Sequence, residues 1–378
     1  DGDGIDDVAV ISDNDTVRWL HGPVTASDTF SGGGLAIEND GIDPQLTGSQ
    51  SGVWVSKRVE MADLTGEGIP DLIIPSAVQA KYALIDPLSA VVTTIHGRLD
   101  ADGAEQFGPA RGAVPAASAM RAIAQGNPGT AIAVVASEAA GDDALTVVTD
   151  LSSSVPAIAT LTLSGTGTTQ VTSLRSFDPD GDGIFDVLAI DAGSGGAKPS
   201  IWWIAGSADG LGDAQEITLD GLDPAPEAGF AILDAALADL DNDGVPDLVI
   251  AEAPAAPTTA TGQIRVLWGE ASTFATTSQI LQTDVRAVGI AVADLDLDGF
   301  EDLVALDAVA EQVLVAANMG ARTFGDAVGA DTGASPIASH VRDLDGDFLP
   351  EIIVLHEGYA AVGDDADSIP LVYLSPML

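Results

Sequence analysis

A chain of 378 residues with 58 acidic and 13 basic side chains carries a formal charge of −45. That excess argues against nucleic acid and anionic lipid surfaces as partners, because phosphates are met by Lys and Arg. There is no cysteine, hence no disulfide framework, and no apolar run reaches the roughly 18 residues that a membrane-spanning helix needs.

The chain opens on Asp1-Gly-Asp3-Gly-Ile-Asp-Asp7, followed by the β-prone Val8-Ala-Val-Ile. Asp63-Leu-Thr-Gly-Glu67-Gly-Ile-Pro-Asp71 repeats the outline with a Thr in place of one acid. Ile123-Ala-Gln-Gly-Asn-Pro-Gly-Thr-Ala131 keeps the shape but has lost every carboxylate, so no metal is expected there. Four full copies follow: Asp178-Pro-Asp180-Gly-Asp182-Gly-Ile184-Phe-Asp186, Asp239-Leu-Asp241-Asn-Asp243-Gly-Val245-Pro-Asp247, Asp294-Leu-Asp296-Leu-Asp298-Gly-Phe300-Glu-Asp302 and Asp343-Leu-Asp345-Gly-Asp347-Phe-Leu349-Pro-Glu351. Carboxylates fall at positions 1, 3, 5 and 9 of each. In the opening copy, Asp1, Asp3 and Asp7 align with positions 3, 5 and 9.

Each full copy leads into a short aliphatic run, Val187–Ile190, Leu248–Ala251, Leu303–Leu306 or Ile352–Leu355. Such runs read as buried strands. A second β-prone run ends in a turn residue: Val17–Gly22, Ile201–Gly206, Ile264–Gly269 and Val313–Asn318. Runs ahead of the loops, Phe230–Leu237 and Arg286–Val292, read as the innermost strands, where small residues suit crowding. The 42 Gly and 20 Pro argue against long helices.

Four like charges in one tight turn repel each other unless a cation sits among them. Calcium suits the pattern, since it takes six to eight hard oxygen ligands in flexible geometry. Alternate residues at positions 1, 3 and 5 point inward, Gly183, Gly244 and Gly299 at position 6 permit the turn, and position 9 closes the cage. The carbonyls of Ile184, Val245, Phe300 and Leu349 are expected as further ligands, by analogy with the EF-hand loop. The last loop departs from the pattern, with Phe348 at position 6. An EF-hand is not the reading, because it needs Glu at position 12 and flanking helices, and position 12 here is Ala189, Ile250, Ala305 or Val354. About four to five structural calcium ions are expected, with Asp63, Glu67 and Asp71 forming the weaker set.

Seven copies with first positions at 63, 123, 178, 239, 294, 343 and just before residue 1 have the spacing of a four-stranded propeller blade. The expectation is all-β: one domain over 1–378, a seven-bladed β-propeller with blades starting near residues 1, 53, 114, 168, 229, 285 and 336. Calcium loops would join the first and second strands of most blades. The chain resembles the FG-GAP/VCBS repeat family, which includes the integrin α-subunit propeller, through its Asp-x-Asp-x-Asp-Gly-x-x-Asp loops. Ile204-Ala-Gly-Ser-Ala-Asp-Gly-Leu211, Glu105-Gln-Phe-Gly-Pro-Ala110 and Asn318-Met-Gly-Ala-Arg-Thr-Phe-Gly325 add to the likeness. The resemblance implies that the loops link first to second strands and that their calcium is structural. It says little of function, since the fold hosts many roles.

Calcium loops point outside the cell, where weak sites fill, so an extracellular or cell-surface location is expected. The chain begins inside such a loop, which suggests the ordered part of a longer polypeptide. His21, His96, His340 and His356 are scattered, and neither a nucleophile elbow nor a phosphate-cradling loop occurs. The expectation is a non-enzymatic module that binds protein or glycan in adhesion or a surface assembly. The alternatives are a lectin and an accessory domain of a polysaccharide-active enzyme. Trp19, Trp202, Trp203 and Trp268 form the candidate sugar platform, weighed against blade-to-blade packing. Trp202 and Trp203 must face opposite sides of a strand.

Overall fold

The computed structural model describes side chains mainly from Ala159 to His356, leaving aside 164–170, 179–183, 194–197, 208–209, 226–228, 256–258, 271–272, 334 and 345. Before Ala159 and over Leu371–Leu374 it describes chiefly strand backbone. The described residues contain no helix.

The strands form antiparallel meanders taken in chain order. The first holds β1 (Val8–Ser12), β2 (Thr16–Leu20) and β3 (Leu35–Ala36). The second holds β4 (Glu60–Ala62), β5 (Asp71–Pro75), β6 (Lys81–Asp86), β7 (Val91–Leu99) and β8 (Glu105–Phe107). The third holds β9 (Ala117–Ala124), β10 (Ala131–Ser137), β11 (Ala144–Thr149) and β12 (Ala157–Thr162). The fourth holds β13 (Ser173–Phe177), β14 (Asp186–Asp191), β15 (Ser200–Ile204) and β18 (Gln215–Ile217), with the small hairpin β16 (Gly206–Ser207) and β17 (Gly210–Leu211) set between its last two strands. The fifth holds β19 (Phe230–Ala238), β20 (Asp247–Pro254), β21 (Gly262–Glu270) and β22 (Thr273–Val285). The sixth holds β23 (Ala287–Ala293), β24 (Asp302–Asp307), β25 (Gln312–Ala316) and β26 (Val328–Asp331). The seventh holds β27 (Pro336–Arg342), β28 (Glu351–His356) and β29 (Leu371–Leu374).

Successive sheets meet along their first strands: β4 touches β9, β9 touches β13, and the series runs on through β19 and β23 to β27. The acid-rich loops therefore share one setting. Residues 239–246, 294–301 and 343–350 each connect the first to the second strand of a sheet, as do 178–185.

Period-two alternation explains why the post-loop strands are apolar without interruption. The fourth, fifth and sixth sheets are covered on both faces, so odd and even residues enter different cores. Val187 and Ala189 of β14 pack with Leu145, Leu163 and Trp202, while Leu188 and Ile190 pack with Ile232, Leu237 and Leu248 of the next sheet. Val249 and Ala251 of β20 face Leu303 and Ala305, and Val304 and Leu306 of β24 face Ile352 and Val354. From the third to the seventh, the sheets thus stack face to face in sequence, with an apolar layer between each described pair.

Two ion pairs interrupt this apolar layering. Arg265 is fully buried and gives Nε to Glu252 Oε1 at 2.8 Å, with Ser278 Oγ and the Pro224 carbonyl each 2.7 Å from its Nη1. On the inner strands, Arg175 of β13 donates to Asp234 of β19 at 2.7 Å. The other Asp234 oxygen accepts the Ile290 N–H of β23 at 2.9 Å, so one buried carboxylate ties three sheets together.

Candidate metal centres

Two adjacent loops have the same internal wiring. In the 239–247 loop, Asp239 Oδ1 accepts the N–H of Asp243 at 3.0 Å and Oδ2 that of Gly244 at 2.8 Å. Asp241 Oδ1 accepts the Asp243 N–H at 3.2 Å, and Asp243 Oδ1 accepts the Val245 N–H at 2.8 Å. In the 294–302 loop, Asp294, Asp296 and Asp298 make the corresponding bonds to the N–H groups of Asp298, Gly299 and Phe300, at 2.8–3.1 Å. The turn needs left-handed backbone at positions 4 and 6. Asn242 and Gly244 supply it in one loop (φ 57° and 83°), Leu297 and Gly299 in the other (61° and 92°). The 343–351 loop keeps the turn although Phe348 replaces glycine: its φ is 74°, its N–H reaches Asp343 Oδ2 at 2.9 Å, and its ring is exposed.

Position 9 does more than close a cage. Asp247 is buried, with Oδ2 accepting the Leu240 N–H at 2.9 Å and Oδ1 the Gly269 N–H at 2.7 Å. Asp302 holds the N–H groups of Leu295 and Asn318 in the same way, at 2.9 and 2.8 Å. Asp186 accepts from Gly206 N–H and Trp203 Nε1, and Glu351 from Leu344 N–H. This carboxylate clamps the loop to the end of the third strand in three of the sheets. The approach is close: a Cβ on Gly269 would lie 2.4 Å from the Pro246 carbonyl oxygen, and one on Gly206 2.4 Å from that of Phe185. Backbone cannot yield as a side-chain tip can. Gly269→Ala is expected to destabilise the chain by about 1–3 kcal/mol through overpacking, measured by urea unfolding.

One oxygen from each of Asp239, Asp241 and Asp247 lies within 4.8 Å of the others, and the same holds for Asp294, Asp296 and Asp302. An all-carboxylate set of this kind fits a hard cation such as calcium. Asp243 and Asp298 stand outside the converged trios. Of the remaining expected ligands, Asp178, Ile184, Asp186, Asp343, Asp347, Leu349 and Glu351 are described, but they form no such trio among the described residues. Asp180, Asp182, Asp345, Asp1, Asp3, Asp7, Asp63 and Glu67, together with the side chain of Asp71, lie outside the described residues.

Desolvation by burial raises the Asp247 carboxyl from 3.8 to about 6, reinforced by Asp241 and Asp243 and opposed by its two backbone hydrogen bonds. Burial raises Asp302 in the same way, with Asp296 and Asp298 adding to it. Glu301 is raised by burial and then by Asp239 and Asp294, one from each loop. A folded-state pKa above the unfolded value gives stability that is complete below the unfolded value and lost as pH rises through the folded one. The metal-free chain should therefore lose stability from about pH 4 to about pH 6 through Asp247, with Asp302 and Glu301 contributing in the same direction. Melting of metal-free protein across that interval checks the sign.

Residues that the motif did not single out tie the two loops together. Asn318 Nδ2 donates to the Leu240 carbonyl at 2.7 Å and to that of Glu301 at 3.1 Å. Asn242 Nδ2 donates to the Gly299 carbonyl at 2.9 Å. Asn318 occupies the place at which Gly206 and Gly269 end their strands, and that correspondence was its one signal in the sequence. Arg322 reaches across from the sixth sheet to Asp241.

The tryptophan platform is corrected by burial. Trp202 is completely buried in the core between the third and fourth sheets, and Trp268 is 6% exposed between the fifth and sixth. Neither offers a ring face to a sugar. Trp203 points to the opposite side, half-buried, bonded to Asp186 at 2.7 Å and tilted against Phe274 at 6.0 Å. The Trp19 side chain lies outside the described residues.

No family model and no curated protein matches the chain. Similar solved structures exist. BBS1N in complex with ARL6DN has 8% identity and a TM-score of 0.54, covering 100% of this chain and 90% of that one. The α-L-arabinanase of Penicillium chrysogenum complexed with arabinobiose has 11% identity and a TM-score of 0.49, covering 84% and 92%. The Dos1 propeller has 11% identity and a TM-score of 0.48, covering 79% and 65%. At such identities the likeness is one of fold alone, an all-β fold shared with propellers. The expectation of a non-enzyme is corrected here: it rested on the absence of a familiar motif, which excludes no catalysis, and the similar structures include an arabinanase.

Proposed function

We propose that the chain is a seven-bladed propeller, resembling the FG-GAP/VCBS repeats, whose loops between first and second strands hold structural calcium. It presents a binding surface to a protein or glycan outside the cell, in adhesion or a surface assembly. The observation that carries this reading is the convergence of three carboxylates in each of two consecutive, identically wired loops. Carboxylates at this density are held together by a divalent cation, and the cation in turn fixes the loop between two strands that each face a core. Calcium at extracellular concentration fills sites of modest affinity, which is why the location and the metal are proposed together.

The test is binding of the calcium-loaded chain to a glycan array and to extracellular protein extracts, repeated in EGTA. Calcium-dependent capture of a defined glycan or protein class supports the reading. Capture of nothing under either condition, or capture indifferent to EGTA, contradicts it.

A further inference from the structure

The two carboxylate loops differ in one respect. Arg322 donates Nε to Asp241 Oδ2 at 2.6 Å, and its Nη2 lies 3.8 Å from Asp243 Oδ2. Its guanidinium carbon sits 4.8 Å from the centre of the Trp268 ring. The Asp241 side chain is 9% exposed and that of Arg322 44%. Three successive left-handed residues, Gly320, Ala321 and Arg322 (φ 72°, 52° and 62°), deliver the side chain from the sixth sheet. Two of these are non-glycine residues in a region that L side chains rarely adopt, so the turn is shaped for this approach. Among the described residues no Lys or Arg pairs with Asp294, Asp296 or Asp298 in the neighbouring loop.

We infer that Arg322 is a tethered cation that stands in for the metal at the 239–247 loop. This rests on the calcium reading above. The guanidinium relieves the repulsion among Asp239, Asp241 and Asp243 without any ion. It is held in place by its hydrogen bond to Asp241, by a longer ion-pair contact to Asp243 and by stacking on Trp268. The loop therefore keeps its shape when calcium is absent and stays latched to the sixth sheet. The same positive charge opposes a divalent ion and engages one of the two Asp241 oxygens, so this loop binds calcium more weakly than the 294–302 loop. The pair consists of one loop braced by the protein's own cation and one that depends on calcium.

The test is calorimetric titration of calcium into the metal-free full chain and into Arg322→Gln, with melting of both in EGTA. Repulsion of a divalent ion by a neighbouring guanidinium near the surface is worth about tenfold in affinity. Arg322→Gln should therefore tighten one class of sites by about that factor, while the metal-free protein melts lower. Unchanged or weaker calcium affinity in Arg322→Gln would overturn the inference, making Arg322 a residue that positions Asp241 for the metal. Arg322→Lys, which keeps the charge without the planar guanidinium and its stacking, should leave affinity near that of the parent; tightening there equal to that of Arg322→Gln would also count against it. No calcium uptake by the parent chain would sink the calcium reading itself, which is a different result from uptake unaltered by the substitution.

Discussion

Asp247→Ala is expected to lower stability whether calcium is present or absent, because it orphans the N–H groups of Leu240 and Gly269. A buried donor without an acceptor costs about 1–3 kcal/mol, so the loss should be about 2–6 kcal/mol. The desolvation that raises the Asp247 pKa works against the native carboxylate, which places the value in the lower half of that range. Asp247→Asn, which retains one acceptor oxygen, should lose about half as much. Asp239→Ala makes the contrast. Its bonds to Asp243 and Gly244 lie at the exposed turn, where water replaces them, so its effect should appear with calcium and nearly vanish in EGTA. Urea unfolding of the three variants in both conditions reads this directly. Equal behaviour of Asp247→Ala and Asp239→Ala in EGTA would show that position 9 does not clamp the loop.

Trp202→Ala should cost about 3–5 kcal/mol, the usual range for emptying a buried aromatic site. Trp202 is wholly enclosed by Leu145, Leu163, Val187 and their neighbours. Whatever ligand the chain binds, its affinity per folded molecule should be unchanged. Trp203→Ala should cost less, since that ring is half-buried, yet it removes the donor to Asp186 and so loosens the clamp on its loop. Thermal melting combined with a binding assay separates the two effects. A stable Trp202→Ala chain that had lost ligand binding would restore the sugar platform.

Much of the fold was legible because its signals are local. The aliphatic runs after each acid loop form strands where they were expected, and the Asp-Gly turn places itself between two of them. Trp202 and Trp203 were assigned to opposite faces from alternation alone. What alternation could not show is that both faces of the fourth, fifth and sixth sheets are covered, and this coverage buries Trp202 and Trp268. The double role of position 9 was hidden for a similar reason. A carboxylate counted as charge looks like a ligand, and its backbone partners at Gly269 and Asn318 are 22 and 16 residues away. Arg322 lies 81 residues from Asp241, and the pairing exists only because the fifth and sixth sheets stack. The expectation of a non-enzyme rested on the absence of a familiar motif, which excludes no chemistry on a fold that can host many roles.

Differential calorimetry of the full chain, in millimolar calcium and again after exhaustive chelation at pH 7, tests the central claim most directly. If each site gains about 2.7 kcal/mol at a hundredfold excess of calcium over its dissociation constant, several sites together should raise the melting temperature by about 10 °C for a chain of this length. Magnesium at the same concentration should do much less, since it demands tighter octahedral geometry. An identical melt with and without calcium would mean that these loops are held by hydrogen bonds and Arg322 alone, and the account of a calcium-stabilised propeller would be wrong.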